Sequence, residues 1–163
     1  MWHKLRISML VSIVSVLGLF VSIHSVSAAN YYYDGKSPVA TGCNNTGWSP
    51  KSTTFSYNGI SGTVYLMFSS SCKTAWAFVK LNKALPKGYN VQGWINRTKD
   101  QKIMGCSTSG GNGDILPGQT TCYSGMVYDL NPNTSHASVQ IIKPNACGPN
   151  CHIFEYSKYT GSY

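Results

Sequence analysis

The feature that most constrains the fold is a series of short segments in which apolar and polar side chains alternate. The clearest segment spans residues 63–68 and places Val64, Leu66 and Phe68 on one face. Because the side chains of a strand point alternately to the two sides of a sheet, this period of two predicts a β-strand with a buried face. Further runs rich in β-branched and aromatic residues cover residues 53–57, 74–81, 89–98, 121–130, 137–142 and 153–159.

Turn-forming residues separate the predicted strands. Asn58-Gly59 and residues 109–113 consist of residue types that tolerate turn dihedrals. Residues 80–85 could begin a helix, but Pro86 would end it early, so we interpret this segment as a strand end and its connection. Seven or eight short strands joined by turns predict an all-β fold, a small antiparallel β-sandwich or barrel stapled by disulfides.

The N-terminus has the three-part composition of a secretory signal peptide. Basic residues precede an uncharged apolar run over residues 7–23, and small residues end at Ala28. An uncleaved membrane anchor is the alternative, because the apolar run approaches the roughly 20 residues that span a bilayer. We expect cleavage after Ala28, which divides the chain into a signal peptide, residues 1–28, and a single secreted, extracellular β-domain, residues 29–163.

Six cysteines follow the predicted signal peptide: Cys43, Cys72, Cys106, Cys122, Cys147 and Cys151. An even number of cysteines in an exported chain favours disulfides over free thiols. Six cysteines allow 15 complete pairings, so the count alone leaves the connectivity open. His152 beside Cys151 could suggest zinc, but an oxidising compartment disfavours free thiolate ligands. We therefore predict no metal site and no cofactor.

The chain is basic, with thirteen lysines and arginines against five acids and a formal net charge of +8. This excess favours acidic partners such as wall polymers, anionic lipid or nucleic acid, and it equally suits a protein kept soluble by its charge. The candidate ligand-binding residues are Lys80, Lys83, Lys87, Tyr89, Trp94, Arg97, Lys99 and Lys102. Cations beside an aromatic platform suit phosphate, uronic acid or stacked bases. The alternative is that Trp94 lies in the core and the lysines form an ordinary solvated rim.

Several runs of the chain resemble one known family. The most specific run is DGKSPVATGC, residues 34–43, and residues 62–66, 71–77 and 126–129 accompany it. Together they resemble the bacterial extracytoplasmic family DUF2690, and most closely its small exported Bacillus members. The resemblance implies a bacterial, exported, β-rich domain. It supplies neither a reaction nor a catalytic residue.

The resemblance also implies a disulfide between Cys43 and Cys72, since these two cysteines recur in the family where others are missing. Such a bridge would stabilise the fold by roughly 3 to 4 kcal/mol through the entropy of the unfolded chain. Trp76 follows Cys72 by four positions in an apolar run, so we expect its indole to be buried beside the bridge. The simplest local closures for the other cysteines are then Cys106 with Cys122 and Cys147 with Cys151.

Motifs that would identify a reaction are weak. The Ser-x-x-Lys spacing of Ser70 and Lys73 falls between two predicted strands, whereas its chemistry needs a helix. Beyond the signal peptide the histidines are His136 and His152, and the acids are scattered singly. We predict no catalytic residue and a monomeric, effector-like binding protein for an anionic polymer or cell surface, without a transmembrane segment. A secreted enzyme or toxin with an atypical polar site is the alternative, and a structural module without a ligand is a third.

The predicted compartment and disulfides can be tested together. We expect the polypeptide in the culture medium, beginning near Ala29, with no reactive thiol until it is reduced and unfolded, because disulfides persist outside the cell. N-terminal sequencing and thiol titration of the native protein measure these two properties. Several reactive thiols in the native protein would contradict the disulfide framework.

Overall fold

The computed structural model describes residues 31–144, 148 and 152–163, in which the regular elements are β-strands and two short 3-10 turns, Tyr31–Tyr33 and Cys43–Thr46. The strands are β1 (Gly47–Tyr57), β2 (Ile60–Ser69), β3 (Thr74–Leu81), β4 (Asn90–Arg97), β5 (Lys102–Gly105), β6 (Thr121–Tyr123), β7 (Val127–Tyr128), β8 (Ser135–Pro144) and β9 (His152–Tyr159). Within these residues no helix has the length and apolar character needed to cross a membrane. The predicted signal peptide, Cys147 and Cys151 lie outside the described residues.

The strands form two antiparallel sheets. The first sheet has the order β1-β2-β3, and both β6 and β7 pair with the free edge of β3. Ser124 bridges the gap between these two short strands, because its N–H donates to the Ala77 carbonyl at 3.0 Å and its hydroxyl oxygen accepts from the Ala77 N–H at 2.9 Å. The second sheet has the order β5-β4-β8-β9.

The inward faces of the two sheets share one apolar core. Val64 and Leu66 of β2 are fully buried and pack in the same cluster as Val91 of β4 and Val139 of β8. Along β2 the buried and half-buried residues alternate as the sequence predicts. Two sheets packed on a common core make a β-sandwich, so the all-β prediction is confirmed and its sandwich form is the one observed.

Two disulfides cross-link the described part of the chain. Cys43 pairs with Cys72 and Cys106 pairs with Cys122, as expected, and no described cysteine is free. The second bridge joins the end of β5 to β6 and so ties the two sheets together. A Cβ on Gly93 would lie 2.7 Å from Val79 and 3.1 Å from the Cys106 sulfur, so only glycine permits this close approach of the sheets.

Trp76 lies where the sequence predicts. It is 3% exposed and packs with Cys43 and Met126, with Cys72 at the margin of the same cluster. A Cβ on Gly47 would meet its ring at 2.8 Å, so the first residue of β1 must be small to accommodate the indole.

A buried guanidinium joins four parts of the chain at one end of the core. Arg97, the last residue of β4, is 2% exposed, and its Nη1 lies 2.8 Å from an Asp34 carboxylate oxygen. Its Nε and Nη2 donate to the two carboxylate oxygens of Asp100 at 2.8 and 2.7 Å. The Tyr128 N–H donates to Asp34 at 2.6 Å, which connects the same ion pair to β7. The hydrogen bonds from Arg97 hold the pKa of Asp100 down to about 2.

Truncating Trp76 should destabilise the protein strongly. Because the indole is buried against the Cys43–Cys72 bridge, Trp76→Ala should lower the free energy of unfolding by about 3 to 5 kcal/mol. Chemical denaturation at equilibrium measures this loss. The control is Trp48→Ala, which removes an indole that is 48% exposed, and an equal loss in the two variants would contradict the assigned burial.

The two carboxylates on Arg97 should differ in their contribution to stability. Asp34→Ala removes a carboxylate that is 13% exposed and should cost about 3 to 5 kcal/mol, because it leaves a buried charge underpaired. Asp100→Ala removes one that is 47% exposed and should cost about 1 kcal/mol or less. Because folding lowers the pKa of Asp100, the Asp100 carboxylate stabilises the folded state fully above pH 3.8, and this stabilisation is lost as the pH falls toward about 2. Denaturation of both variants is therefore measured at pH 7. A larger loss from Asp100→Ala would reverse this assignment.

Candidate functional site

The structure separates the basic residues that the sequence groups together. Lys80, Lys83 and Lys87 precede β4, whereas Arg97, Lys99 and Lys102 lie at or beyond its other end. The eight residues of β4 hold these groups about 23 Å apart at the rise of a strand. Arg97 is buried with its two carboxylates, and Tyr89 packs against the core. These residues therefore do not form one continuous basic face, and their role in ligand binding stays a prediction.

Trp94 lies on the outward face of the second sheet. The strand register places Gly105, Trp94, Ser138 and Tyr159 opposite one another in one row across all four strands. A Cβ on Gly105 would lie 2.6 Å from the Trp94 ring, so the glycine allows the indole to lie over β5. Tyr159 is 54% exposed at the far end of the row. The alternative in which Trp94 belongs to the core is therefore not observed.

A second row lies beside the first on the same face. Ile103, Asn96 and His136 are opposite one another on β5, β4 and β8, and the His136 ring centroid lies 5.9 Å from that of Tyr159. Apart from Gly105, the residues of these two rows surround a shallow cavity of about 280 Å³ together with Gln140, and we name this cavity the outer cleft. A second hollow of about 270 Å³, lined by Phe154 and neighbouring residues of β9, adjoins it at Gln140.

Two polar atoms of the outer cleft lack partners. The indole nitrogen of Trp94 and the side-chain oxygen of Asn96 are buried, and neither has a hydrogen-bond partner among the described residues. The two residues are separated by two positions on β4, so they point to the same side of the sheet. A buried donor or acceptor without a partner costs about 1 to 3 kcal/mol. Each of these atoms therefore calls for a partner that the described residues do not supply.

The lining of the outer cleft is polar but carries little charge. Its described lining residues include an imidazole, two amides, a hydroxyl and a phenol, and no Lys, Arg, Asp or Glu. In the adjoining hollow, Glu155 accepts a hydrogen bond from the Tyr57 hydroxyl at 2.6 Å, which raises the pKa of Tyr57. Across the described ranges, no three His, Cys, Asp or Glu side chains come together as metal ligands. The cleft is therefore suited to hydrogen bonding and ring stacking.

Sequence reasoning identified Trp94 but missed most of its neighbours. His136, Ser138 and Gln140 are polar residues at alternate positions of β8, and Tyr159 comes from β9. The alternation could have predicted that these three side chains share the outward face of β8, because apolar residues occupy the intervening inward positions. The approach of β8 and β9 to Trp94 depends on strand order, which the sequence does not specify.

The chain has relatives among known proteins. A family model described as "Protein of unknown function (DUF2690)" matches residues 31–138. The "Uncharacterized protein YjfA" of Bacillus subtilis (strain 168) is 41% identical over 138 residues, which cover 83% of each chain. No solved structure matches at a significant level.

Proposed function

Since this chain belongs to the DUF2690 family, whose description assigns no activity, we propose from its geometry that it is an exported binding protein for a hydroxyl-rich cell-surface polymer, such as a wall glycan. The membership confirms the resemblance carried by residues 34–43. The observation that carries the proposal is the outer cleft, with Trp94 and Tyr159 at the two ends of one row of side chains.

The aromatic residues of the cleft support stacking against sugar rings. Trp94 on β4 and Tyr159 on β9 are separated by one strand, β8, so their backbones lie about 10 Å apart. Ser138 lies between them and has no bulk that would block the row. Large aromatic side chains give an apolar face together with a polar edge, the combination that a sugar ring with its hydroxyl groups requires. A chain of linked rings can contact both aromatics at once.

The polar lining of the cleft supports recognition of hydroxyl groups. Trp94 supplies a donor and Asn96 an acceptor, and both lack partners. A hydroxyl group donates one hydrogen bond and accepts others, so a polyhydroxylated ligand can serve both kinds of group. Gln140 and Ser138 add further donors and acceptors along β8. Sites for small ligands commonly combine such an apolar platform with a few polar groups.

The absence of lysine and arginine from the described cleft lining favours an uncharged region of the polymer over a polyanion. The anionic partner predicted from composition would instead have to contact exposed lysines outside the cleft, and those of the basic segment lie in two separate groups. The two ligand classes differ in their response to salt, because added ions screen exposed charges within about 10 Å at 0.1 M. Stacking and neutral hydrogen bonds carry no such dependence.

Binding to purified peptidoglycan sacculi and to insoluble chitin tests the proposal. Trp94→Ala and Tyr159→Ala should each weaken retention about tenfold, corresponding to about 1.4 kcal/mol of lost contact. Trp48→Ala is the matched control, because it removes an exposed aromatic of β1 that is not among the residues lining the cleft. Co-sedimentation measures retention, and thermal denaturation confirms that each variant is folded.

A second pair of measurements distinguishes a glycan site from electrostatic adhesion. Gln replacement of Lys83 and Lys87 together, and salt raised to about 0.5 M, should leave retention on chitin nearly unchanged. If the lysine variant loses binding while Trp94→Ala keeps it, the outer cleft is not the site and the partner is anionic. If neither probe is bound by the unaltered protein, the proposed ligand class is wrong.

A further inference from the structure

The connection from β7 to β8 presents oxygen-bearing side chains at alternate positions. Asp129, Asn131 and Asn133 form a D-x-N-x-N pattern immediately after β7. The same spacing of Asp and Asn supplies the first three side-chain ligands of calcium-binding loops, because carboxylate and amide oxygens are the ligands that Ca²⁺ prefers. Sequence patterns of this length arise by chance, so the pattern alone does not define a site.

The structure places the three residues around one cavity, a second region distinct from the outer cleft. Asp129, Asn131 and Asn133 all line a space of about 260 Å³, together with Thr134 and apolar walls from Phe68 and Leu130. Tyr163 completes the lining, and its ring centroid lies 5.3 Å from that of Phe68. Residues that alternate along the chain therefore converge in space.

Two of the oxygens are buried without a donor. Asp129 and Asn133 are each 4% exposed. One Asp129 oxygen accepts from the Ser135 hydroxyl at 2.8 Å, and the other has no partner in the described part of the chain. The Asn133 amide nitrogen donates to the Leu130 carbonyl at 3.1 Å, which orients the amide and leaves its oxygen without a partner. Both unpaired atoms are acceptors, so they require a donor or a cation.

We propose that Asp129, Asn131 and Asn133 form a binding site for a hard, oxygen-coordinated cation, with Ca²⁺ as the preferred ion. The inference rests on residues outside the outer cleft and stands independently of the glycan proposal. It also departs from the sequence prediction that no metal binds. Burial raises the pKa of Asp129 to about 6, which agrees with a carboxylate that lacks a cationic partner in contact.

Two features set the expected affinity. Asp129 is the only carboxylate in the described cavity lining, and the Arg97 guanidinium on the Tyr128 carbonyl disfavours a second positive charge nearby. Counted from Asp129 as position 1, calcium-binding loops carry a Gly at position 6 and a bidentate Glu at position 12. This chain has Thr134 and Gln140 at those two positions. With few charged ligands, the site should have a dissociation constant of about 10⁻⁴ to 10⁻³ M, the range of extracellular calcium modules.

Thermal denaturation in CaCl₂ tests the site on the whole protein. Compared with EDTA, CaCl₂ up to about 10 mM should raise Tm in a concentration-dependent manner, because a ligand of the folded state stabilises it by mass action. MgCl₂ should have a smaller effect, since Mg²⁺ dehydrates reluctantly, and KCl of equal ionic strength should have none. Asp129→Asn should abolish the response to Ca²⁺. The matched control is Asp114→Asn, which alters another carboxylate with an unpaired buried oxygen but outside this cavity.

A second readout covers the case in which Asp129→Asn does not fold. Tb³⁺ added to the unaltered protein should luminesce on excitation of the nearby Tyr163 ring, and Ca²⁺ should displace it. Asn133→Ala should weaken both the luminescence and the Tm response. The proposal is overturned if Ca²⁺ neither raises Tm nor displaces Tb³⁺, or if Asp129→Asn and the unaltered protein respond equally.

Discussion

The buried guanidinium of Arg97 is the interaction on which the arrangement of the two sheets depends. Arg97 is the last residue of β4, in the second sheet. Its guanidinium forms an ion pair with Asp34, which precedes β1, and donates to the carbonyl of Tyr128 in the first sheet. A buried charge of this kind is tolerated only when it is fully paired, so the N-terminal segment and both sheets must adopt one mutual position. The Tyr31 ring, 4.6 Å from the guanidinium, covers the same ion pair.

The same strand that carries Arg97 inward carries Trp94 outward. Val91 and Ile95 are fully buried in the core, whereas Trp94 lies on the opposite face. The period of two therefore separates the side chains of β4 that pack in the core from those that line the outer cleft. It also explains why the outer cleft is nearly neutral, because the arginine of this basic segment points into the core and its lysines lie beyond the strand ends.

Much of the fold follows from local patterns, and most of the site does not. Alternation identified β2, and enrichment in β-branched and aromatic residues identified β3 with its observed limits. The family resemblance identified the Cys43–Cys72 bridge. The run at 121–130 divides into β6 and β7, because residues 124–126 leave the ladder. The four residues of β5 were not among the predicted strands. The outer cleft depends on strand order, and the cavity beside Asp129 depends on the shape of one connection; no local pattern specifies either. The basic residues that are close in sequence do not form one surface, because an extended strand separates residues at its two ends widely in space.

The most direct test of this account is an NMR titration that follows the indole N–H resonances with soluble fragments of cell-wall glycan. Trp48, Trp76 and Trp94 lie in three different environments, an exposed edge, the disulfide cluster and the outer cleft. If the outer cleft binds glycan, the Trp94 resonance should shift progressively with fragment concentration while that of buried Trp76 stays in place. A saturable shift at Trp48 with no change at Trp94, or no shift at any indole, would contradict it.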